Sequence, residues 1–251
     1  MNLIIERLSP TRWVPPWIRH QHLARYECLA AHVAGARVID AACGNGYGAD
    51  ILCDAGALEV VGFDCSTEAI AEALAAYDRP GLRFAVADVT RLPVANAACD
   101  AFVSLETIEH VADVDAFLAE VVRVLAPGGA FYCSTPNRQV TNPGITIDGR
   151  PFNRFHMREY TAAELQALLK EYFNTIEMYG QTFFSRDYCR FLSHIGKLAP
   201  RLSVRTHQAR KLLGIPWERR EWHQPRPLDD RDVPEVLIAV CRSSKVRCQR
   251  G

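Results

Sequence analysis

"RVIDAACGNGYGADIL", residues 37–52, decides how the rest of the chain is read. An apolar run carrying an acid, Asp40, leads into glycines at 44, 46 and 48, and a helical pattern follows. A strand that turns into a helix through alternate glycines brings backbone N–H groups against a ligand with no Cβ in the way. Gly44 to Ala49 fit a loose G-x-G-x-x-A dinucleotide pattern. Asp40 speaks against a dinucleotide, because a carboxylate four residues before Gly44 repels a pyrophosphate and suits an ammonium group. A tight strand–helix turn that holds nothing is the plain alternative.

Outward from this turn, short β-like runs alternate with helical ones. Strands are expected at 36–41, 58–64, 82–88, 100–106 and 130–136, and helices at 48–55, 66–77 and 114–125. Ser66 is placed to cap the second of these helices, and Pro127-Gly128-Gly129 to stop the third. Strand–helix–strand order implies a doubly wound, mostly parallel α/β sheet. After residue 140 the regularity weakens. A helix at 161–172 carries a capping box (Thr161, Glu164), and strands are expected at 174–183 and 234–242. Between the last two, residues 186–226 hold ten Lys/Arg against three acids. The expected organisation is one domain: a helical cover (1–35), a ligand-binding core (36–140), acceptor-side segments (141–233) and a final strand (234–242).

Composition narrows the classes. With 251 residues, 49% hydrophobic, 23% charged and zero formal net charge, the chain reads as an ordinary globular protein without a global field toward nucleic acid or membrane. Its nine cysteines include no CxxC pair, which points to a reducing, cytoplasmic setting. No signal-peptide order and no long apolar run are expected to engage a bilayer.

The second strand ends in Asp64, positioned for ribose hydroxyls, and the third in Asp88, positioned for an adenine amino group. An adenosine carrying an amino-acid tail and no phosphate is S-adenosylmethionine. At this point the chain resembles the class I S-adenosylmethionine-dependent methyltransferases, type 11 group. The likeness rests on "VIDAACGNGYG", "VVGFDCS", "FAVADVTRLPV", "CDAFVSLETIEHV" and "VLAPGGAFYCSTPN" in family order and spacing. It extends into "HQHLARYECLA" and "NRFHMREYTAAEL". The resemblance implies a seven-stranded sheet with an antiparallel last strand. It implies that Tyr26, Asp40, Ala42, Gly44 and Gly46 surround the methionine end, Asp64 and Cys65 the ribose, Asp88 and Val89 the adenine, with Leu105 and Glu106 alongside. Ala42 stands where the family has a glycine, a change that is tolerated unless the position needs positive φ.

For the acceptor side, "ETIEH" supplies Glu106, Glu109 and His110, all on one side if they form a helical turn. His110 has the pKa of a base near neutrality, with Glu109 or Glu106 to orient it, and His156 is either a second base or acceptor contact or a structural loop histidine. Glu109 and His110 bracing the next helix is the bland reading. A divalent-metal site is a third, with His156 its only further recruit, and the expectation is no metal. His22 is expected to pack. The basic stretch 186–226 is expected to form an acceptor lid, with Trp217, Trp222, Phe183, Phe184 and Tyr188 as core or an aromatic wall. The expected function is O-methylation of a small-molecule hydroxyl on a sugar or secondary metabolite, with anionic and carrier-linked acceptors included and no nucleic-acid or membrane partner. N-methylation, a silent cofactor-binding partner and an NAD(P) oxidoreductase are the rivals.

Overall fold

The computed structural model describes residues 16–199, 201–202, 204, 224–229 and 231–244. Helix α1 (Pro16–Ala30) precedes β1 (Arg37–Ala41), α2 (Tyr47–Asp54), β2 (Glu59–Asp64), α3 (Thr67–Ala76), β3 (Leu82–Val86) and β4 (Cys99–Leu105). Then come α4 (Val114–Val124), β5 (Leu125–Pro136), a single turn α5 (Arg138–Thr141) and α6 (Ala162–Lys170). Strand β6 (Phe173–Ser185), helix α7 (Arg186–Leu198), the two-residue β7 (Arg226–Pro227) and β8 (Asp232–Ser244) complete the order.

The sheet has eight strands in the order β3-β2-β1-β4-β5-β8-β6-β7. β1 to β5 pair in parallel, and β8 runs antiparallel to both β5 and β6. The expected seven strands and antiparallel last strand are therefore present, with β7 added at the β6 edge. Side chains on β4 alternate faces, as strand geometry requires. Phe102 joins one core with Phe117, Val121, Phe131, Leu165 and Leu169, so α4 and α6 cover that face. Ala101 and Val103 join the other with Leu29, Leu52, Ile70 and Ala73, so α1, α2 and α3 cover the opposite one.

Local signals explain most boundaries. Ser66 accepts from the Ala69 amide at 3.2 Å, and the Thr161–Glu164 capping box forms. The helix expected at 114–125 is present as α4, and the strand after it starts earlier than the expected 130. The helix stops at Val124, before the Pro-Gly-Gly, and residues 125–136 are extended as β5. Pairing of Leu125 with Cys99 draws the chain into the sheet early, with a register irregularity between Cys99 and Ala101.

Candidate active site

The order of strands reverses between β1 and β4, and open α/β sheets bind ligands outside the carboxyl ends of strands at such a point. A cavity of about 1190 Å³ opens there. That exceeds a typical small-molecule site of about 300–1,000 Å³, leaving room for two ligands together. Its walls are Ala42 to Asn45 and Tyr47 after β1, Asp64 and Cys65 after β2, Asp88 to Thr90 after β3, and Leu105 to Thr107 with His110 after β4. His22 and Tyr26 close it from α1, and Arg154 with Phe155 from the loop before α6.

Asp64 is buried, and its carboxylate is held by two backbone amides: Gly44 donates to Oδ2 at 2.9 Å and Ser66 to Oδ1 at 2.8 Å. Asp88 accepts from the Thr90 amide and hydroxyl, both on Oδ1 at 2.8 Å, and these bonds hold its carboxyl below the usual range.

Two members of the glycine turn shape the cavity from behind. Gly46 takes φ 86 at the start of α2 and packs on Phe84 and Ala73, where a Cβ would not fit. It does not line the cavity. Asp40 likewise sits one layer back, fully buried, with the Tyr26 hydroxyl donating to it at 3.1 Å. Burial pushes the Asp40 carboxyl up to about 7, and the Tyr26 hydrogen bond opposes that rise. Ala42 takes φ 60, so the position does use the left-handed region and alanine there carries strain that glycine would not.

On the acceptor side, Glu106 also has positive φ, 54°. The Ser134 hydroxyl donates to its Oε1 at 2.8 Å, and the Glu106 amide donates to the Ser134 carbonyl at 3.0 Å. The three residues of "ETIEH" do not share one side. Glu106 and His110 face the cavity, whereas Glu109 is buried beneath it, accepting from the Thr135 hydroxyl at 2.9 Å. Burial, then the neighbouring Glu106 charge, raise the Glu109 carboxyl well above its ordinary range.

His110 Nδ1 lies 3.0 Å from the Phe155 carbonyl. A carbonyl only accepts, so Nδ1 carries a proton, and Nε2 lies 4.0 Å from Glu109 Oε1. His156 is placed otherwise than a second base or acceptor contact would be. Its Nδ1 bonds Glu159 at 2.6 Å, its Nε2 accepts from the Asn153 amide at 2.7 Å, and it does not line the cavity. It is a bracing residue of the 151–160 loop, packed edge-on against His110 with ring centroids 4.7 Å apart.

The basic stretch does not build this cavity in its described part. α7 lines a separate cavity, and Arg226 pairs with Asp229 and Asp232 while lying over the Phe183 ring. Phe184 and Tyr188 pack with Val140 and Cys189. Arg205, Arg210, Lys211, Arg219, Arg220, Trp217 and Trp222 lie outside the described residues.

Sequence reasoning passed over several wall residues, among them Asn45, Tyr47, Thr90, Arg154 and Phe155, and it placed His22 in packing. It also missed Arg25. This side chain is buried, gives Nη1 to Gln181 at 2.7 Å, and has no partner for Nε or Nη2 among the described residues. An uncompensated buried guanidinium is costly, and its burial is a property of the fold that the sequence does not display.

A sequence family described as a methyltransferase domain matches residues 39–133. A probable S-adenosylmethionine-dependent methyltransferase of Mycolicibacterium smegmatis is 42% identical over 154 residues, 61% of this chain and 57% of that protein. A ubiquinone biosynthesis O-methyltransferase of Mesorhizobium japonicum is 31% identical over 153 residues, 59% of this chain and 60% of that one. The matched stretch thus spans less than two thirds of these relatives' length. A crystal structure of an S-adenosylmethionine-dependent methyltransferase from Mesorhizobium loti superposes with TM-score 0.54 at 22% identity, covering 88% of this chain and 98% of the other. That likeness concerns the fold. With the sheet order, the glycine turn and the acid-lined cavity, the comparisons give one conclusion: residues 39–133 match a methyltransferase domain, and the chain is similar to S-adenosylmethionine-dependent methyltransferases.

Proposed function

We propose that this chain transfers a methyl group from S-adenosylmethionine to a hydroxyl oxygen of a small-molecule acceptor, with His110 as general base. The residues fit the cofactor. Asp64 is oriented by two amides at the cavity wall toward hydroxyls of a ribose, and Asp88 keeps Oδ2 for an amino group on adenine. The cofactor supplies an activated methyl on a sulfonium. The chain's own task is to align the acceptor and take its proton. Alignment supplies several kcal/mol, with effective molarities of about 10⁵–10⁸ M.

The observation that carries the reading is the His110 Nδ1 contact. The Phe155 carbonyl fixes a proton on Nδ1, so Nε2 is the nitrogen left to act as base in a ring that lines the cavity beside Glu106. The Phe155 carbonyl holds Nδ1 at 3.0 Å, and Glu109 Oε1 lies 4.0 Å from Nε2. The ubiquinone O-methyltransferase among the relatives supports an oxygen acceptor without naming it. His110→Ala should lower turnover at least about 10²-fold on a panel of phenol, catechol and sugar acceptors while leaving cofactor affinity in place. Equal loss of binding and turnover would make His110 a scaffold residue.

A second reading has its own observation. Glu109, His110 and His156 offer ligand atoms that all lie within 4.8 Å of one another. The Phe155 carbonyl and Glu159 each hold an Nδ1, the outer-shell arrangement that metal-binding histidines use. Against it, Thr135 occupies Glu109 Oε2 and Asn153 donates to His156 Nε2. Turnover abolished by EDTA and restored by Mg²⁺ or Mn²⁺ favours the metal; turnover indifferent to EDTA favours the base.

A further inference from the structure

Helix α7 carries apolar side chains on a face that nothing among the described residues covers. Phe191, Ile195 and Leu198 stand at i, i+4 and i+7, one stripe of the helix. Phe191 is 55% exposed and Leu198 89%; Leu202, on the following turn, is 56% exposed. The helix does not need this stripe for its own packing. Cys189, Leu192 and Gly196 form its buried face, and the Gly196 backbone lies so close to Pro143 and Gly144 that a Cβ could not be added. Scattered exposed apolar residues are ordinary, but several large ones on one stripe mark a surface that meets something.

Charge says what that partner is. Arg186, Arg190 and Lys197 follow one another along the adjacent face, and Arg201 lies just beyond the helix. Asp187 is the one acid of α7, paired with Arg190 at 3.4 Å across an exposed and therefore weak bridge. Arg186, Arg190 and Lys197 also line the second cavity, about 900 Å³, with the hydroxyl-bearing Thr146, Thr161 and Ser193. A helix with large apolar side chains on one face and Arg/Lys on the next has the pattern of an interfacial helix, which lies in the plane of a membrane surface. A protein partner would account for the apolar stripe. The cavity beside it is lined by Arg138, Arg186, Arg190 and Lys197 against Glu164, Asp229 and Asp232. Those three acids are paired with Arg138 and Arg226, which leaves Arg190 and Lys197 of α7 to meet phosphate headgroups.

We propose that α7 seats this protein on an anionic lipid surface, with Phe191, Ile195 and Leu198 entering the headgroup boundary and Arg186, Arg190 and Lys197 meeting lipid phosphates. No helix among the described residues is long and apolar enough to cross a membrane, so the contact is peripheral. It departs from the sequence expectation of no membrane partner, because neutral net charge conceals a helix whose cations are gathered on one face.

The test is flotation of the full chain with vesicles of equimolar phosphatidylglycerol and phosphatidylcholine, against vesicles of phosphatidylcholine alone. Binding is expected to the anionic vesicles only. It should weaken as salt rises from about 0.01 M to 0.1 M, where the screening length falls from about 30 Å to 10 Å. The double substitution Phe191→Asp, Leu198→Asp should reduce binding at least about tenfold, with far-UV circular dichroism and S-adenosylhomocysteine affinity unchanged, since the cofactor cavity is built elsewhere. Excess inorganic phosphate alone should not displace the protein, because the apolar stripe would stay engaged. No flotation of the wild type, or flotation equal for the double variant, overturns the proposal. So does a wild-type dimer that the double variant converts to monomer without any vesicle binding, which would assign the stripe to a second copy of the chain.

Discussion

Asp40 shows how much a single side chain can change meaning between sequence and fold. Its place before the glycines argues correctly against a pyrophosphate, yet the carboxylate is buried behind the wall under the Tyr26 hydroxyl. Burial raises its pKa from 3.8 to about 7. The folded chain thus holds the Asp40 proton where the unfolded chain has lost it. That contribution to stability is full below about pH 4 and is lost as pH rises toward 7. Asp40→Asn keeps an oxygen to accept from Tyr26 and cannot ionise. Thermal melts from pH 4 to 7 should therefore show a falling wild-type Tm relative to the variant, and parallel curves would contradict the buried carboxyl. Asp64 and Asp88 were legible because an acid at a strand end in a parallel sheet has few other places to point. His156 was not legible, since pairing with Glu159 and Asn153 is a property of a loop's folded path. Ala42 was half-read: the condition for strain was stated, and only the backbone angle of 60° fulfils it.

At the scale of elements, caps were the readable feature because their chemistry is local. Ser66 and the Thr161–Glu164 box formed as expected. The early start of β5 was hidden, since strand pairing with β4 decides it and Pro-Gly-Gly reads equally as a stop. α1 is the element with most bearing on function. Gln21 donates to Thr182 at 2.6 Å, Arg25 to Gln181 at 2.7 Å, and Tyr26 to Asp40, so the helix is pinned to both β6 and β1. Its approach to α2 depends on Gly48, where a Cβ would overlap the Tyr26 ring. Gly48→Ala should push α1 outward and weaken S-adenosylhomocysteine binding at least about tenfold, a loss of about 1.4 kcal/mol. Because alanine is the better helix former by about 1 kcal/mol, α2 itself is not weakened by the change. Calorimetry of the variant with unchanged affinity would show that α1 does not need this close approach.

For the whole molecule, the alternation of strands and helices announced the parallel sheet, and its switch point located the cavity. The second half resisted. β6 and β8 are joined through a long stretch with no short-range pairing signal, and the described part of that stretch lines a cavity other than the one expected. The central claim is that the switch-point cavity is a site for S-adenosylmethionine and not for a dinucleotide. Isothermal titration of the wild-type chain with S-adenosylhomocysteine, and separately with NAD⁺, tests it most directly, with Asp64→Ala as the control on location. The account predicts one saturable site for S-adenosylhomocysteine, none for NAD⁺, and affinity lowered more than about tenfold in a folded Asp64→Ala, since charged hydrogen bonds contribute about 1.5–3 kcal/mol each. Saturable NAD⁺ binding, or S-adenosylhomocysteine affinity indifferent to Asp64, would contradict it.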